Sequence, residues 1–216
     1  MKQAFGLQVP ELLPEFCDPS RCALLIYDMQ NGIVSQIGEG PAIVRNCARL
    51  LEAARAAEMR IFFLRHFFLP NQAIGIGQLR RAMVWQRKGD PGETQPFITQ
   101  GSPAWEIVPE LSPLPGEVLI DKITMSAFEG TFLSIAMRDA QLTSFIIAGI
   151  ALEIGIEPTI RHGLDQNFLP ILVTDACGAG DAELKEHSLR TLEHTGEVIA
   201  VETETLVSAL KQPGKE

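Results

Sequence analysis

Ala23-Leu-Leu-Ile-Tyr-Asp28 is a short apolar run closed by an acid, the pattern of a strand buried on both faces. A helix follows it. Between residues 41 and 59, Ile43, Cys47, Leu50, Leu51 and Ala54 recur at helical spacing, with Arg45, Arg49, Glu52 and Arg55 between them. Ile61-Phe-Phe-Leu64 is a second strand. After a long gap the alternation resumes with the strand Val118-Leu-Ile120, a helix from about Thr131 to Arg138, and the strand Ser144-Phe-Ile-Ile-Ala148. A helix over 154–166, the strand Leu169-Pro-Ile-Leu-Val-Thr174, a helix from Asp181 to His194, the strand Val198-Ile-Ala-Val201 and a helix from Glu204 to Leu210 complete the chain. Short apolar strands separated by helical patterns predict an α/β fold, with a parallel sheet covered on both faces by right-handed crossovers.

The chain has 216 residues, 46% hydrophobic and 21% charged, which is enough for a sizeable core and excludes a mainly disordered or collagen-like chain. No repeat, low-complexity tract or linker interrupts it, so residues 1–216 read as a single domain. Lys and Arg total 18 against 27 Asp and Glu, and the net charge of −9 argues against nucleic acid as a partner. Cys17, Cys22, Cys47 and Cys177 are scattered without a C-x-x-C pair, which fits a reducing compartment. The start of the chain lacks an apolar run behind a basic segment, and no apolar stretch approaches the ~20 residues of a membrane span. A cytoplasmic protein without membrane contact is expected.

In open parallel sheets ligands bind beyond the carboxyl ends of the strands. Asp28 ends the first strand, Lys122 lies just past Ile120, and Gly155 opens the helix after the strand ending at Ala148. Each also has a purely structural reading: a turn cap, a solvated charge, relief of crowding at a helix start. The segment from Phe67 to Trp105 shows no sustained period and reads as a long loop, a length that usually carries function. It holds Arg80, Arg81, Arg87 and Lys88 against Asp90 and Glu93, a local positive balance that suggests a small anionic substrate. The alternatives are a solvated loop or a subunit contact. Trp85 and Trp105 are candidates to wall a pocket or simply to pack.

Four segments together resemble the isochorismatase-like hydrolase superfamily, which also holds nicotinamidases and N-carbamoylsarcosine amidases. They are Leu24-Leu-Ile-Tyr-Asp-Met-Gln-Asn31, Asp121-Lys-Ile-Thr-Met-Ser-Ala-Phe-Glu-Gly-Thr131, Ile146-Ile-Ala-Gly-Ile-Ala151 and Val173-Thr-Asp-Ala-Cys177. The resemblance runs nearly end to end. It implies a three-layer, Rossmann-like arrangement with a six-stranded, mainly parallel sheet, and an active site where Asp28, Lys122 and the loop at Gly155 meet. In the amidase branch a pattern like G-I-A-T-E-I-C-V carries the nucleophile, and it lays onto Gly149-Ile-Ala-Leu-Glu-Ile-Gly-Ile156. Here Gly155 stands at the cysteine position, and glycine cannot form an acyl-enzyme.

Isochorismatases also lack that cysteine and cleave a vinyl ether without a covalent intermediate. By resemblance Asp28 is then the general acid and Lys122 its partner. The helix start at Gly155 offers unpaired N–H groups for an anion and a roomy approach, and a cis peptide is expected at Ile150–Ala151. His66 takes about the place of a substrate-contacting glutamine, or is an ordinary strand-end histidine. Phe128 is expected near the pocket. Nicotinamidases carry an Asp/His metal site on the loop after the second strand; here that loop reads Arg65-His-Phe-Phe-Leu-Pro-Asn71 without D-x-H, so no metal and no cofactor are expected. Family likeness further implies a homodimer or homotetramer. The leading expectation is noncovalent, isochorismatase-like vinyl ether hydrolysis of a small anionic molecule by Asp28, Lys122 and Gly155, with His66, Trp85, Arg87, Phe128, Ile150 and Ala151 around the substrate. The alternatives are an amidase or ureidase using activated water, and a noncatalytic ligand-binding homologue.

Overall fold

The computed structural model describes residues 1–95 and 97–211. A two-stranded hairpin, β1 (Lys2–Ala4) and β2 (Leu7–Val9), precedes the main sheet and keeps all six of its residues exposed. A short α1 (Leu13–Phe16) leads to β3 (Cys22–Tyr27). The sheet adds β4 (Arg60–His66), β5 (Val118–Lys122), β6 (Ser144–Ile150), β7 (Leu169–Gly178) and β8 (Ile199–Val201), in the order β5-β4-β3-β6-β7-β8. Every neighbouring pair in it is parallel.

Period two along β3 builds the layers. Cys22, Leu24 and Ile26 join a core with Ile43, Cys47, Leu50 and Leu51 of α3 (Gly40–Ala56) and Leu206 of α8 (Thr203–Leu210). Ala23, Leu25 and Tyr27 face the other way. There they meet Leu133 and Met137 of α5 (Leu133–Asp139), Ile160 of α6 (Glu157–Asp165) and Leu192 of α7 (Ala182–His194). A sheet buried on both faces selects continuous apolar strands, so the pattern around Ala23 was informative. Gly149 is fixed by close approach: its φ is +136° and a Cβ there would meet the Tyr27 carbonyl oxygen at 2.0 Å.

Several elements differ from the sequence expectation. The Phe67–Trp105 segment contains a ten-residue helix, α4 (Ile76–Trp85), and a third small core of Phe68, Ala82 and Ile98. Its helical period is masked by exposed Ile76 and Val84. β7 runs past Thr174 to Gly178, because a register irregularity opposite Ile147–Gly149 takes up residues 173–176. Asp175, turned out there, accepts from the Thr203 N–H and hydroxyl at 2.8 and 2.7 Å. The helix expected over 154–166 is a wide π turn, Leu152–Ile156, followed by α6, with Pro158 in its first turn.

The chain visits β3, β4 and β5 on one side, then returns to β6 beside β3. That reversal opens a crevice at the carboxyl ends of β3 and β6, the place such sheets bind ligands.

Candidate active site

Three adjacent strands present Lys122, His66 and Asp28 at this end. His66 is in register with Lys122, and Asp28 follows β3 directly. Asp28 takes φ +50°, a sparsely allowed conformation for a residue with a side chain, and its N–H is held by the Leu64 carbonyl at 3.0 Å. The Lys122 side chain reaches across the spacing of two strands, about 9.6 Å, to Asp28.

Lys122 Nζ donates to Asp28 Oδ2 at 2.8 Å and to the Thr124 carbonyl at 3.3 Å, and stands 4.2 Å from the centre of the Tyr27 ring. The Lys122 side chain is 0% exposed. Asp28 Oδ1 is buried with no partner. Burial pushes the Asp28 carboxyl up to about 6, against the pull of Lys122. The same burial lowers Lys122, against the pull of Asp28. Burial is the larger influence on both partners, raising the carboxyl and lowering the ammonium despite their pairing.

His66 is buried, with neither ring nitrogen hydrogen-bonded. Burial first, then Lys122 and Arg81, push it down to about 3, which keeps the imidazole neutral. Its backbone is clamped by Gln30, whose Oε1 accepts from the His66 N–H at 2.7 Å and whose Nε2 donates to the His66 and Trp105 carbonyls at 2.9 Å. Gln30 escaped the sequence reading, although it lies two residues beyond Asp28.

A cavity of about 230 Å³ opens over this floor. Ile33, Ile37, Trp85, Phe97, Ile98, Met125, Ile150, Ala151, Ile154 and Gly155 line it. Asp28 is the charged residue among the described lining, with His66, Gln36 and Tyr27 as polar company. Trp85 packs edge-on to His66 at 5.9 Å. The Ile150–Ala151 peptide is cis.

Other expected residues sit elsewhere. Arg87 is exposed just beyond α4 and does not line the cavity, and neither do Arg80, Arg81 and Lys88. The positive balance of that segment therefore places no cation among the described lining of the cavity, although half-buried Arg81, which donates to the Ile123 carbonyl at 3.4 Å, acts on His66 from outside that lining. Phe128 is buried outside the cavity, stacked on Phe168 at 5.5 Å and edge-on to Phe145 at 5.7 Å. Its periodic apolar neighbours recruit it into the core. Glu153 Oε1 accepts from the Gly180 N–H at 2.8 Å.

The surroundings of Gly155 also correct the expectation of room and free N–H groups. The N–H groups of Gly155 and Ile156 both donate to the Ala151 carbonyl, at 3.0 and 3.1 Å. A Cβ on residue 155 would stand 2.1 Å from Tyr27 Oη and 2.5 Å from its Cζ. The space is filled by Tyr27, whose hydroxyl donates to the Met125 carbonyl. No thiol compensates. All four cysteines are buried away from the cavity lining, and burial raises Cys17 to about 11 and Cys22 and Cys177 to about 12, with Cys47 also raised.

The Isochorismatase domain family matches residues 22–203, from the start of β3 to the start of α8. The chain belongs to the isochorismatase family. Among its relatives, the ureidoacrylate amidohydrolase RutB of Methylobacterium radiotolerans is 29% identical over 198 residues, 83% of this chain and 76% of that protein. The structure resembles a cysteine hydrolase from Pseudomonas syringae pv. phaseolicola, with a TM-score of 0.79 at 24% identity, over 89% of this chain and 93% of that one. N-carbamoylsarcosine amidase from Thermoplasma acidophilum shares the fold at a TM-score of 0.68 and 20% identity, over 85% of this chain and 97% of that one. This isochorismatase-family hydrolase has, among its described residues, no helix long and apolar enough to cross a membrane.

Proposed function

We propose that the protein hydrolyses a small molecule by noncovalent acid–base chemistry, with Asp28 as the acid that opens a vinyl ether. One observation carries the reading: Asp28 Oδ1 is buried and unpaired at the floor of a cavity that no thiol lines. A carboxyl titrating near 6 holds a usable proton close to neutrality. In the first step Asp28 protonates the terminal carbon of the enol ether, leaving an oxygen-stabilised cation. Water adds to that cation and returns a proton to Asp28, and the resulting hemiketal breaks into a carbonyl compound and an alcohol. Lys122 holds Oδ2, which leaves Oδ1 without a partner, and stabilises the carboxylate formed in the first step. His66, Trp85, Ile150 and Ala151 are the proposed substrate contacts. The apolar lining, with no Lys or Arg among its described residues, favours a substrate with an uncharged reacting end over the anion suggested by the basic segment.

A second reading, amide or ureide hydrolysis by water that Asp28 activates as a base, draws on the names of the relatives. The two separate by the sign of their pH dependence. Isochorismate, ureidoacrylate and N-carbamoylsarcosine would be assayed with the wild type and Asp28→Asn. As an acid, Asp28 is active while protonated: kcat/KM is flat below about pH 6 and falls tenfold per unit above it. A base gives the mirror image. Pyruvate release from isochorismate that persists in Asp28→Asn sinks both readings, and ligands that bind without turnover leave the noncatalytic homologue.

A further inference from the structure

Tyr27 is the one tyrosine of the chain, and the steps above give it no role. It sits at the end of β3, immediately before Asp28, and lines the same cavity. Its Oη fills the place where the first side-chain atom of residue 155 would stand. Its proton is committed to the Met125 carbonyl and the Thr159 hydroxyl faces its oxygen, so one lone pair is what the oxygen has left to offer. Its ring lies against Lys122 Nζ, the partner of Asp28. Tyr27 and Asp28 thus both line one largely apolar cavity, each carries an oxygen that can accept, and a water molecule has two O–H groups to give.

We propose that Tyr27 is a further catalytic residue of this site: its phenolic oxygen accepts one O–H of the attacking water and holds that water against Asp28 Oδ1. The assignment rests on the noncovalent reading. When water adds, its oxygen bonds to the carbon of the cation, one proton passes to the Asp28 carboxylate left by the first step, and the other stays hydrogen-bonded to Tyr27. The phenol neither gains nor loses a proton. Burial raises its pKa well above 10, which keeps it neutral and rules it out as a base. The volume that a side-chain nucleophile would need is thereby occupied by a group that orders the nucleophile brought by solvent.

Tyr27→Phe keeps the ring and removes the acceptor. We expect kcat to fall roughly 10- to 100-fold with KM changed less than about twofold, while the pH limb near 6 stays in place. Gly155→Ala, which drives a methyl group into the hydroxyl, should lose a similar factor, and the double variant no more than the worse single. Because the chain has one tyrosine, biosynthetic replacement by 3-fluorotyrosine alters that hydroxyl cleanly; a smaller drop in kcat is expected there, and it keeps the test open if the Phe variant does not fold. Wild-type kcat in Tyr27→Phe, or in the fluorinated protein if Phe fails, overturns the assignment. So does a raised KM at unchanged kcat, which makes the hydroxyl a substrate contact. Asp28→Asn in parallel separates the failures. If it stays active, the acid–base reading falls and Tyr27 with it; if it is dead while Tyr27→Phe is not, only the Tyr27 role falls.

Discussion

Asp121 and Lys122 are consecutive residues at the end of β5, and each is half of an ion pair, yet the two pairs are built differently. On one face Asp121 meets Arg65, its register partner on β4, with Nε–Oδ1 at 2.8 Å and a second bond from the guanidinium to Oδ2 at 3.3 Å. The guanidinium also lies 3.5 Å over the Trp105 ring, and Asp121 keeps 26% of its side chain in solvent. On the other face Lys122 and Asp28 share one short contact, with 0% and 8% of their side chains exposed, and one carboxylate oxygen has nothing to bond. The first pair is forked, stacked and part-solvated, an arrangement that keeps both charges at little cost. The second is dry and incomplete, so ionisation itself is expensive. Alternation along a single strand therefore yields a clamp tying the Trp105 segment to the sheet and, one residue later, a site whose proton is poised.

The sharpest way to break this contrast is to neutralise the two acids separately. Asp28→Asn should cost on the order of 10³-fold in kcat/KM, whereas Asp121→Asn should stay within a few-fold; equal losses would erase the distinction. Removing the cation is the next largest effect. Lys122→Met takes away the charge that lowers the Asp28 pKa, so the carboxyl should titrate above 6 and the falling limb of kcat/KM should move to higher pH. A limb that stays put would mean that Lys122 only packs. Arg65→Ala should leave that limb untouched and lower stability to urea by on the order of 1 kcal/mol. A smaller difference concerns charge on the ligand: methyl esters of the assayed acids should show a KM no higher than the free acids, because no Lys or Arg is among the described lining residues of the cavity. The smallest effect expected is none. Iodoacetamide should neither label the native thiols nor slow turnover, since all four are buried and their pKa values raised.

Much of this architecture could be read in advance because its determinants are local. Ala23–Tyr27 is apolar on both faces, Ile43 to Ala54 keep a helical stripe, and Asp28, His66 and Lys122 all stand at strand ends, where open sheets bind ligands. What escaped depends on positions far apart in the chain. Nothing within Glu153-Ile-Gly-Ile156 shows that a tyrosine on another strand fills the room beside Gly155. Gln30 reads as a polar residue after a strand until its partners, the His66 and Trp105 carbonyls, are known. Arg87 was drawn toward the cavity by the charge of its neighbourhood, but charge composition carries no direction, and the side chain points to solvent. Phe128 was misplaced by nearness in sequence to Lys122, since the turn after β5 carries it into the core. Helix α4 was hidden because its apolar face packs on a small satellite core while Ile76 and Val84 stay exposed.

The Lys122 side chain has no exposed surface, and Asp28, its side chain 8% exposed, lines the cavity. Protons thus reach the pair through the same mouth that admits the ligand. On the proposed acid–base reading, a ligand seated there would cover the pair and set its protonation state at the instant of binding. Acidity of the medium then selects which molecules of enzyme are competent to capture a ligand, and has little say over the speed of those that already hold one.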